Sequence, residues 1–208
     1  MTTDRIELIP KLSETINSLD FDTITSERKT VLQVLIDYIQ SRVDAGEPVN
    51  LNFICTHNSR RSQFSQIWAQ TAADYYGIKA YCYSGGVEVT AFNERAVASV
   101  QRMGFDVSAE GTGNPKYTLR YAPNGPAIIA FSKVFDDPAN ATSQFAAVMT
   151  CAHADENCPF IPGAEKRIPV RYEDPKAYDD TAQEVAMYDL RSRQIATELF
   201  HVFAAINC

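Results

Sequence analysis

Several features that define other classes of protein are absent from this chain of 208 residues. No apolar run approaches the length of a membrane span, and the first residues lack the basic start and apolar core of a signal peptide. Positive charge is scarce, since 19 Lys and Arg stand against 26 Asp and Glu, for a net charge of −7. That balance argues against general nucleic-acid binding and gives no reason to expect contact with a membrane. We therefore expect a cytoplasmic protein.

Cysteine is also sparse, and its count is odd. Five cysteines do not look like the disulfide framework of a secreted protein. In a reducing compartment, cysteines at suggestive spacings are more often catalytic or metal-binding. The rest of the composition, 45% hydrophobic and 22% charged, is that of an ordinary globular protein.

From Val49 onward, strand-like runs alternate with helical patterns. The strands are predicted at 49–55, 80–84, 145–151 and 167–170, and the helices at 63–76, 93–103 and 181–206. The closing helix is predicted to bury Val185, Leu190, Ile195, Leu199, Val202 and Phe203. This alternation predicts an α/β fold, with a central parallel sheet of about four strands and helices on both faces.

Two segments are predicted to be additions to that fold. Residues 1–48 form a helical extension, in which Ser26 caps a helix with the apolar face Leu32, Leu35, Ile36, Ile39 and Val43. That face either covers the core or forms a homodimer. Residues 116–132 are predicted to form an inserted β-hairpin around Asn124-Gly125. The hairpin falls within the α/β domain, which is predicted to span residues 49–208.

The most informative motif runs from Cys55 to Ser62, directly after the first predicted strand. It places a cysteine, five residues, an arginine and a serine between a strand and a helix. Backbone N–H groups of such a loop can surround a tetrahedral oxyanion, and Arg61 adds a planar fork of donors. The same field favours a thiolate nucleophile at Cys55.

The candidate oxyanion-binding residues are therefore the whole loop: Thr56, His57, Asn58, Ser59, Arg60 and Arg61. The spacing alone is weak, because a buried cysteine at a strand end beside a surface arginine would produce it equally well.

A second cysteine pair lies far along the chain. Cys151 ends the third predicted strand, and Cys158 follows seven positions later. In a helix the two would share a face about 10 Å apart, whereas a disulfide needs Cα atoms within about 7 Å. The pair can bond only if the segment unwinds, which indicates a redox switch. Zinc binding with His57 and His153 is an alternative, but the spacing matches no common zinc pattern, and we predict no metal.

Two Asp-Pro pairs supply candidate general acids. Oxyanion chemistry at a cysteine often needs a group that protonates the departing oxygen. Asp174 follows the last strand, where it can reach the site, whereas Asp137 lies near the added hairpin. Asp-Pro is also a common turn signal. We favour Asp174.

Together these motifs resemble the low-molecular-weight protein tyrosine phosphatase superfamily, and more narrowly its thioredoxin-coupled arsenate reductases. The Cys55–Ser62 motif is shared by both groups. The segment from Val148 to Pro159, with its two cysteines, and the later Asp174-Pro175 are similar to the reductase branch. The resemblance covers most of residues 51–206.

The resemblance implies a mechanism and a partner. Arg61 and the loop would bind arsenate, Cys55 would attack arsenic, and Asp174 would protonate the leaving oxygen. Cys151 would then attack Cys55 and form a disulfide with it. Cys158 would attack Cys151 in turn, which leaves a Cys151–Cys158 disulfide for thioredoxin to reduce. Ser62 would hydrogen-bond the thiolate and Asn58 would brace the loop, with no tightly bound cofactor.

The chain departs from the family pattern at two loop positions. The family usually has Gly, which allows a positive φ, where His57 stands, so His57 must adopt that geometry or the loop must adjust. Another cysteine is often found where Arg60 stands. Two alternatives therefore stay open: a phosphatase with a Cys55 phosphoenzyme and Asp174 as general acid, and a non-catalytic oxyanion-binding or interaction protein.

Overall fold

The computed structural model describes residues 6–157 and 160–207. Within these ranges the chain forms six α-helices, seven strands and two short 3₁₀ turns. The helices are α1 Pro10–Asn17, α2 Ser26–Asp44, α3 Arg61–Tyr75, α4 Glu94–Arg102, α5 Ala152–Asn157 and α6 Glu184–Ala204. The strands are β1 Val49–Cys55, β2 Ala80–Gly86, β3 Asp106–Glu110, β4 Lys116–Arg120, β5 Ala127–Ala130, β6 Phe145–Met149 and β7 Ala164–Pro169.

The predicted parallel sheet is confirmed. Four strands lie in the order β2-β1-β6-β7, and each neighbouring pair is parallel. The inner strands β1 and β6 are buried almost throughout, which is typical of parallel strands covered on both faces. Because the strands are parallel, their carboxyl ends meet at one edge of the sheet.

The two faces of the sheet are covered differently. On one face, Leu51 and Phe53 pack in the large core that α2, α3 and α6 share, around the fully buried Trp68. On the other face, Ile54 and Met149 pack in a smaller cluster with α5 and residues 135–161. Among the described residues, only the short α5 covers this second face as a helix.

The N-terminal helices pack into the large core of the same chain. Leu32, Leu35 and Ile39 are fully buried, so the predicted apolar face of α2 covers the core. The predicted cap was one residue late: Thr25 is the N-cap, its Oγ1 accepting from the Arg28 N–H at 3.2 Å, and Ser26 is the first helical residue. The division into an extension, 1–48, and a domain, 49–208, stays a prediction.

The predicted hairpin is present within a larger unit. Strands β4 and β5 pair antiparallel, but Arg120 pairs with Ala127, so the connection is six residues rather than a tight Asn-Gly turn. Strand β3, which we did not predict, adds a third strand beside β4. Its sequence is mostly exposed and lacks the alternation of a half-buried strand.

The predicted buried face of α6 was wrong at Val185 and Leu190, which are 53% and 54% exposed. The helical period continues backward from Ile195 through Ser192 and Tyr188, both fully buried. Val185 and Leu190, which lie ten and five positions before Ile195, therefore point away from the core. No helix in the described ranges is long and apolar enough to cross a membrane.

Helix α1 docks closely on the turn after α4, and Gly104 allows this approach. Gly104 has φ +111°, and a Cβ there would lie 2.5 Å from the Leu12 nitrogen. We expect Gly104→Ala to lower the free energy of unfolding by about 3 kcal/mol, because backbone strain and overpacking add. The measurement is urea unfolding followed by circular dichroism.

The matched control is Gly46→Ala, at φ +69° with no atom within 4 Å of the added Cβ. Its free energy of unfolding should fall by only about 1 kcal/mol, because backbone strain is the only cost. Equal losses in the two variants would contradict the close packing of α1.

Candidate active site

The motif from Cys55 to Ser62 forms a loop between β1 and α3, here called the Cys55 loop. Cys55 is the last residue of β1 and is 3% exposed, and α3 begins at Arg61. Within the described ranges, no hydrogen bond engages the backbone N–H groups of residues 56–60. These donors and the N-terminus of α3 are therefore available to an oxyanion placed over Cys55.

A chain of hydrogen bonds leads from Asn58 to the Cys55 sulfur. The Asn58 Nδ2 donates to the Ser62 Oγ at 2.8 Å, and the Ser62 Oγ lies 3.0 Å from the Cys55 Sγ. Because the hydroxyl oxygen already accepts from Asn58, its own hydrogen is free to point at the sulfur. The Ser62 hydroxyl can therefore donate to the Cys55 sulfur.

The positive φ expected at His57 occurs at Asn58 instead, with φ +46°. Asparagine tolerates the left-handed region, and its side chain is held at both ends. Besides its bond to Ser62, its Oδ1 accepts from the Lys133 N–H at 3.0 Å. The loop has thus adjusted around His57, whose carbonyl accepts from the Ser132 hydroxyl at 2.9 Å.

Arg61 and Asp174 form an ion pair at the mouth of the loop. The Arg61 Nη2 lies 2.7 Å from the Asp174 Oδ2, and its Nη1 donates to the Tyr172 carbonyl at 3.1 Å. Asp174 also caps the following 3₁₀ turn. Asp137 accepts from the Ala139 N–H within a turn, which is the structural role expected of an Asp-Pro pair.

Several predicted oxyanion-binding side chains point elsewhere. The guanidinium of Arg60 donates to the Tyr188 hydroxyl at 2.8 Å and lies 3.4 Å from Asp179, so it does not line the loop. The Ser59 hydroxyl donates to the Ala91 carbonyl at 2.7 Å. The side chains of these two residues are therefore engaged elsewhere, and their proposed part in oxyanion binding is left to their backbone N–H groups.

Cys151 lies beside the Cys55 loop. It is 1% exposed, and its Sγ lies 3.5 Å from the Thr56 Oγ1. The same hydroxyl lies 3.3 Å from the His153 Nδ1. Helix α5 starts directly after Cys151 and is six residues long. Cys158 lies outside the described residues.

Cys82 is distant from this chemistry and belongs to the core. Burial raises the pKa of its thiol well above the ordinary value, and Asp74 adds to that shift. The thiol therefore stays protonated and unreactive. Among the described residues, no group of three or more His, Cys, Asp and Glu side chains could hold a metal ion.

Residues that the motifs did not indicate shape the site. Ser132 and Lys133 hold the Cys55 loop from the segment after β5. Tyr188 and Asp179 hold Arg60, and burial together with the bond to Asp179 raises the pKa of Tyr188 to about 12. All lie at least 70 positions after the loop, and no local sequence signal marks them.

A groove of about 530 Å³ opens beside the Cys55 loop. His57 and Arg60 line one side, and Phe92, Tyr117 and Lys176 contribute to the others. Tyr117 belongs to β4, so the inserted sheet forms part of the wall next to the loop.

Comparisons with known proteins agree with this geometry. No protein-family model matches the chain. It is 31% identical over 124 residues to arsenate reductase 2 of Staphylococcus epidermidis, covering 59% of this chain and 76% of the relative. The arsenate reductase of Staphylococcus aureus (strain Newman) is 32% identical with the same coverage, and that of Bacillus cereus is 29% identical, with 74% of the relative covered.

Among solved structures, a YwlE mutant from Bacillus subtilis superposes with a TM-score of 0.51 and 12% identity, covering 75% of this chain and 97% of that one. The parallel sheet and the Cys55 loop define the low-molecular-weight protein tyrosine phosphatase fold. By its similarity to the Staphylococcus relatives, the chain belongs to the arsenate reductase family.

The Asn58 side chain should be essential to the loop. We expect Asn58→Ala to lower the free energy of unfolding by about 3 kcal/mol, because it leaves the Lys133 N–H without an acceptor and places Ala at a positive φ. The measurement is urea unfolding of the reduced protein.

Asn58→Gly removes the same hydrogen bonds but tolerates the backbone geometry, so it should be more stable than the alanine variant by about 1 kcal/mol. A glycine variant as stable as the wild type would mean that the side chain contributes nothing.

Proposed function

We propose that this protein reduces arsenate to arsenite at Cys55 and is regenerated by thioredoxin through Cys151 and Cys158. Family membership supports the reaction, and the geometry of the Cys55 loop supports the way in which the chain performs it. Arsenate, or the similar phosphate ion, is the oxyanion that the loop would bind.

Binding would begin by an exchange of partners at Arg61. In the structure this guanidinium is shared between Asp174 and the Tyr172 carbonyl. An arsenate oxygen would compete for the same donors, while the backbone N–H groups of residues 56–60 bind its other oxygens. The exchange would free Asp174 to meet the substrate.

The first chemical step would join Cys55 to arsenic. The thiolate, which accepts from the Ser62 hydroxyl, attacks As(V), and one hydroxyl of arsenate leaves as water after accepting a proton from Asp174. Asp174 would take up this proton from solvent once arsenate has replaced it at Arg61. Arg61 would balance the charge that develops on the remaining oxygens.

The second step would be the reduction. The Cys151 thiolate attacks the Cys55 sulfur, and the electron pair of the S–As bond remains on arsenic, which leaves as arsenite. Cys158 then attacks Cys151, Cys55 departs as a thiolate, and the Cys151–Cys158 disulfide accepts two electrons from the dithiol of thioredoxin.

The observation that carries this proposal is the position of Cys151. A phosphatase needs no second cysteine, yet this one lies against Thr56 of the Cys55 loop at the start of a short helix. The Ala154 N–H donates to its sulfur at 3.3 Å, so the first turn of α5 holds the sulfur in place.

The remaining expectations stay predictions. They are a cytoplasmic location, the absence of a tightly bound cofactor or metal, and a homodimer through the N-terminal helices. The buried face of α2 is already used within one chain, so a dimer would need the outer face of these helices.

A coupled assay tests the proposal. Arsenite release is measured with thioredoxin, thioredoxin reductase and NADPH. We expect Cys55→Ser, Cys151→Ser and Cys158→Ser each to abolish multiple turnover, whereas Cys158→Ser still completes one round because the first disulfide can form. Cys82→Ala is the matched control and should keep its turnover, since that thiol lies in the core.

Full multiple turnover in Cys151→Ser would overturn the relay. Cleavage of p-nitrophenyl phosphate that needs Cys55 and Asp174 but not Cys151, without arsenite release, would support the phosphatase instead. Loss of both activities in a folded protein that binds arsenate would support a non-catalytic oxyanion-binding protein.

A further inference from the structure

Helix α5, which separates Cys151 from Cys158, buries little apolar surface. Of residues 152–156 only Ala154 is buried. A helix of six residues is far shorter than one that is stable alone. Something other than a hydrophobic face must therefore hold it.

Asp155 supplies that restraint through two arginines outside the helix. Its Oδ1 lies 2.8 Å from the Arg167 Nε on β7, and its Oδ2 lies 2.8 Å from the Arg171 Nε. The Arg171 Nη2 also donates to the Oδ2, so two N–H groups of one guanidinium bind the same carboxylate oxygen. The Arg167 Nη2 donates to the Ala154 carbonyl at 3.5 Å.

The carboxylate of Asp155 is the enclosed member of this cluster. Its side chain is 10% exposed, against 27% for Arg167 and 46% for Arg171. Burial acts to raise the pKa of Asp155, but the hydrogen bonds from Arg171 and Arg167 outweigh it, so the pKa lies below its ordinary value. The cluster is therefore ionised at neutral pH.

Glu156 is next in the chain but is not held in this way. Its Oε1 lies 3.5 Å from the Arg171 Nη1, and its side chain is 64% exposed. The same helix thus carries one carboxylate in an enclosed, charge-assisted site and one at the surface, where an ion pair contributes little.

We propose that Asp155, bound to Arg167 and Arg171, is a latch that keeps α5 helical while the two cysteines are reduced, and so sets the stability of the Cys151–Cys158 disulfide. This inference rests on the proposed relay, which requires these cysteines to bond. Asp155 is a positioning residue that acts through the helix and touches neither substrate nor sulfur.

The linkage follows from the spacing of the two cysteines in the sequence, which is seven positions. Along a continuous helix that spacing would span about 10 Å, beyond the reach of a disulfide. Forming the bond unwinds α5 and separates Asp155 from at least one arginine. The latch therefore favours the dithiol, makes the disulfide a stronger oxidant and drives electrons from thioredoxin into it.

The test measures this equilibrium apart from arsenate chemistry. Full-length Cys55→Ser protein is equilibrated with mixtures of oxidised and reduced dithiothreitol, in which two thiols are exchanged for one disulfide on each side. The disulfide fraction is read by alkylation and mass spectrometry of the peptide that contains Cys151 and Cys158.

Adding Asp155→Asn should shift the equilibrium about tenfold toward the disulfide, because the charge-assisted bonds to both arginines are lost. A tenfold shift corresponds to a reduction potential about 30 mV more negative. Arg171→Gln, which weakens the latch from the other side, should shift it in the same direction. Glu156→Gln is the matched control and should change it less than about twofold.

Equal potentials for Asp155→Asn and Glu156→Gln, or a shift toward the dithiol, would overturn the latch even if the enzyme reduces arsenate. If Asp155→Asn shifts the dithiol–disulfide equilibrium as predicted but the protein releases no arsenite, the latch is supported and only the proposed function is overturned. Circular dichroism of each reduced variant confirms that it is folded.

Discussion

The position of β1 in the middle of a parallel sheet is the constraint on which the site depends. Cys55 ends β1 beside Gly86 of β2, and Ile54 pairs with Met149 at the end of β6. Three carboxyl ends therefore converge, and they bring Cys151 to a loop nearly 100 positions earlier. Gly86 permits the convergence, because a Cβ there would lie 2.7 Å from the Asn58 nitrogen.

The site also shows how an acidic protein can attract an anion. The chain carries a net charge of −7, yet the loop gathers unengaged N–H dipoles, a helix N-terminus and one guanidinium in a small volume. In the structure Asp174 pairs with Arg61. In the proposed mechanism, substrate affinity is therefore a difference between two ion pairs, and weaker anions that cannot displace a carboxylate would be excluded.

The fold was largely predictable because its signals are local. Apolar runs bounded by turn residues located all four parallel strands, and helical spacing located α2 and α3 within two residues. Strand β3 was missed because it is a polar edge with almost no buried face. In α6, Val185 and Leu190 were misplaced because apolar residues alone were counted, whereas the buried stripe continues through Ser192 and Tyr188.

Motif spacing singled out Cys55, Arg61 and Asp174 as site residues, and the structure pairs Arg61 of the Cys55 loop with Asp174. The roles of these residues stay predictions. Motif spacing could not indicate that Asn58, rather than His57, takes the positive φ, because that choice depends on a hydrogen bond from the backbone of Lys133. Tertiary partners of this kind leave no periodic pattern in a sequence.

The contacts of Arg60 have a consequence for substitutions at that position. Its guanidinium binds Tyr188 and Asp179, and Tyr188 itself donates to Asp179 at 2.7 Å. Replacing Arg60 by cysteine would leave a buried hydroxyl and a carboxylate without their cation. We therefore expect such a replacement to be tolerated only together with changes at Asp179 and Tyr188, so that the three positions vary as a set.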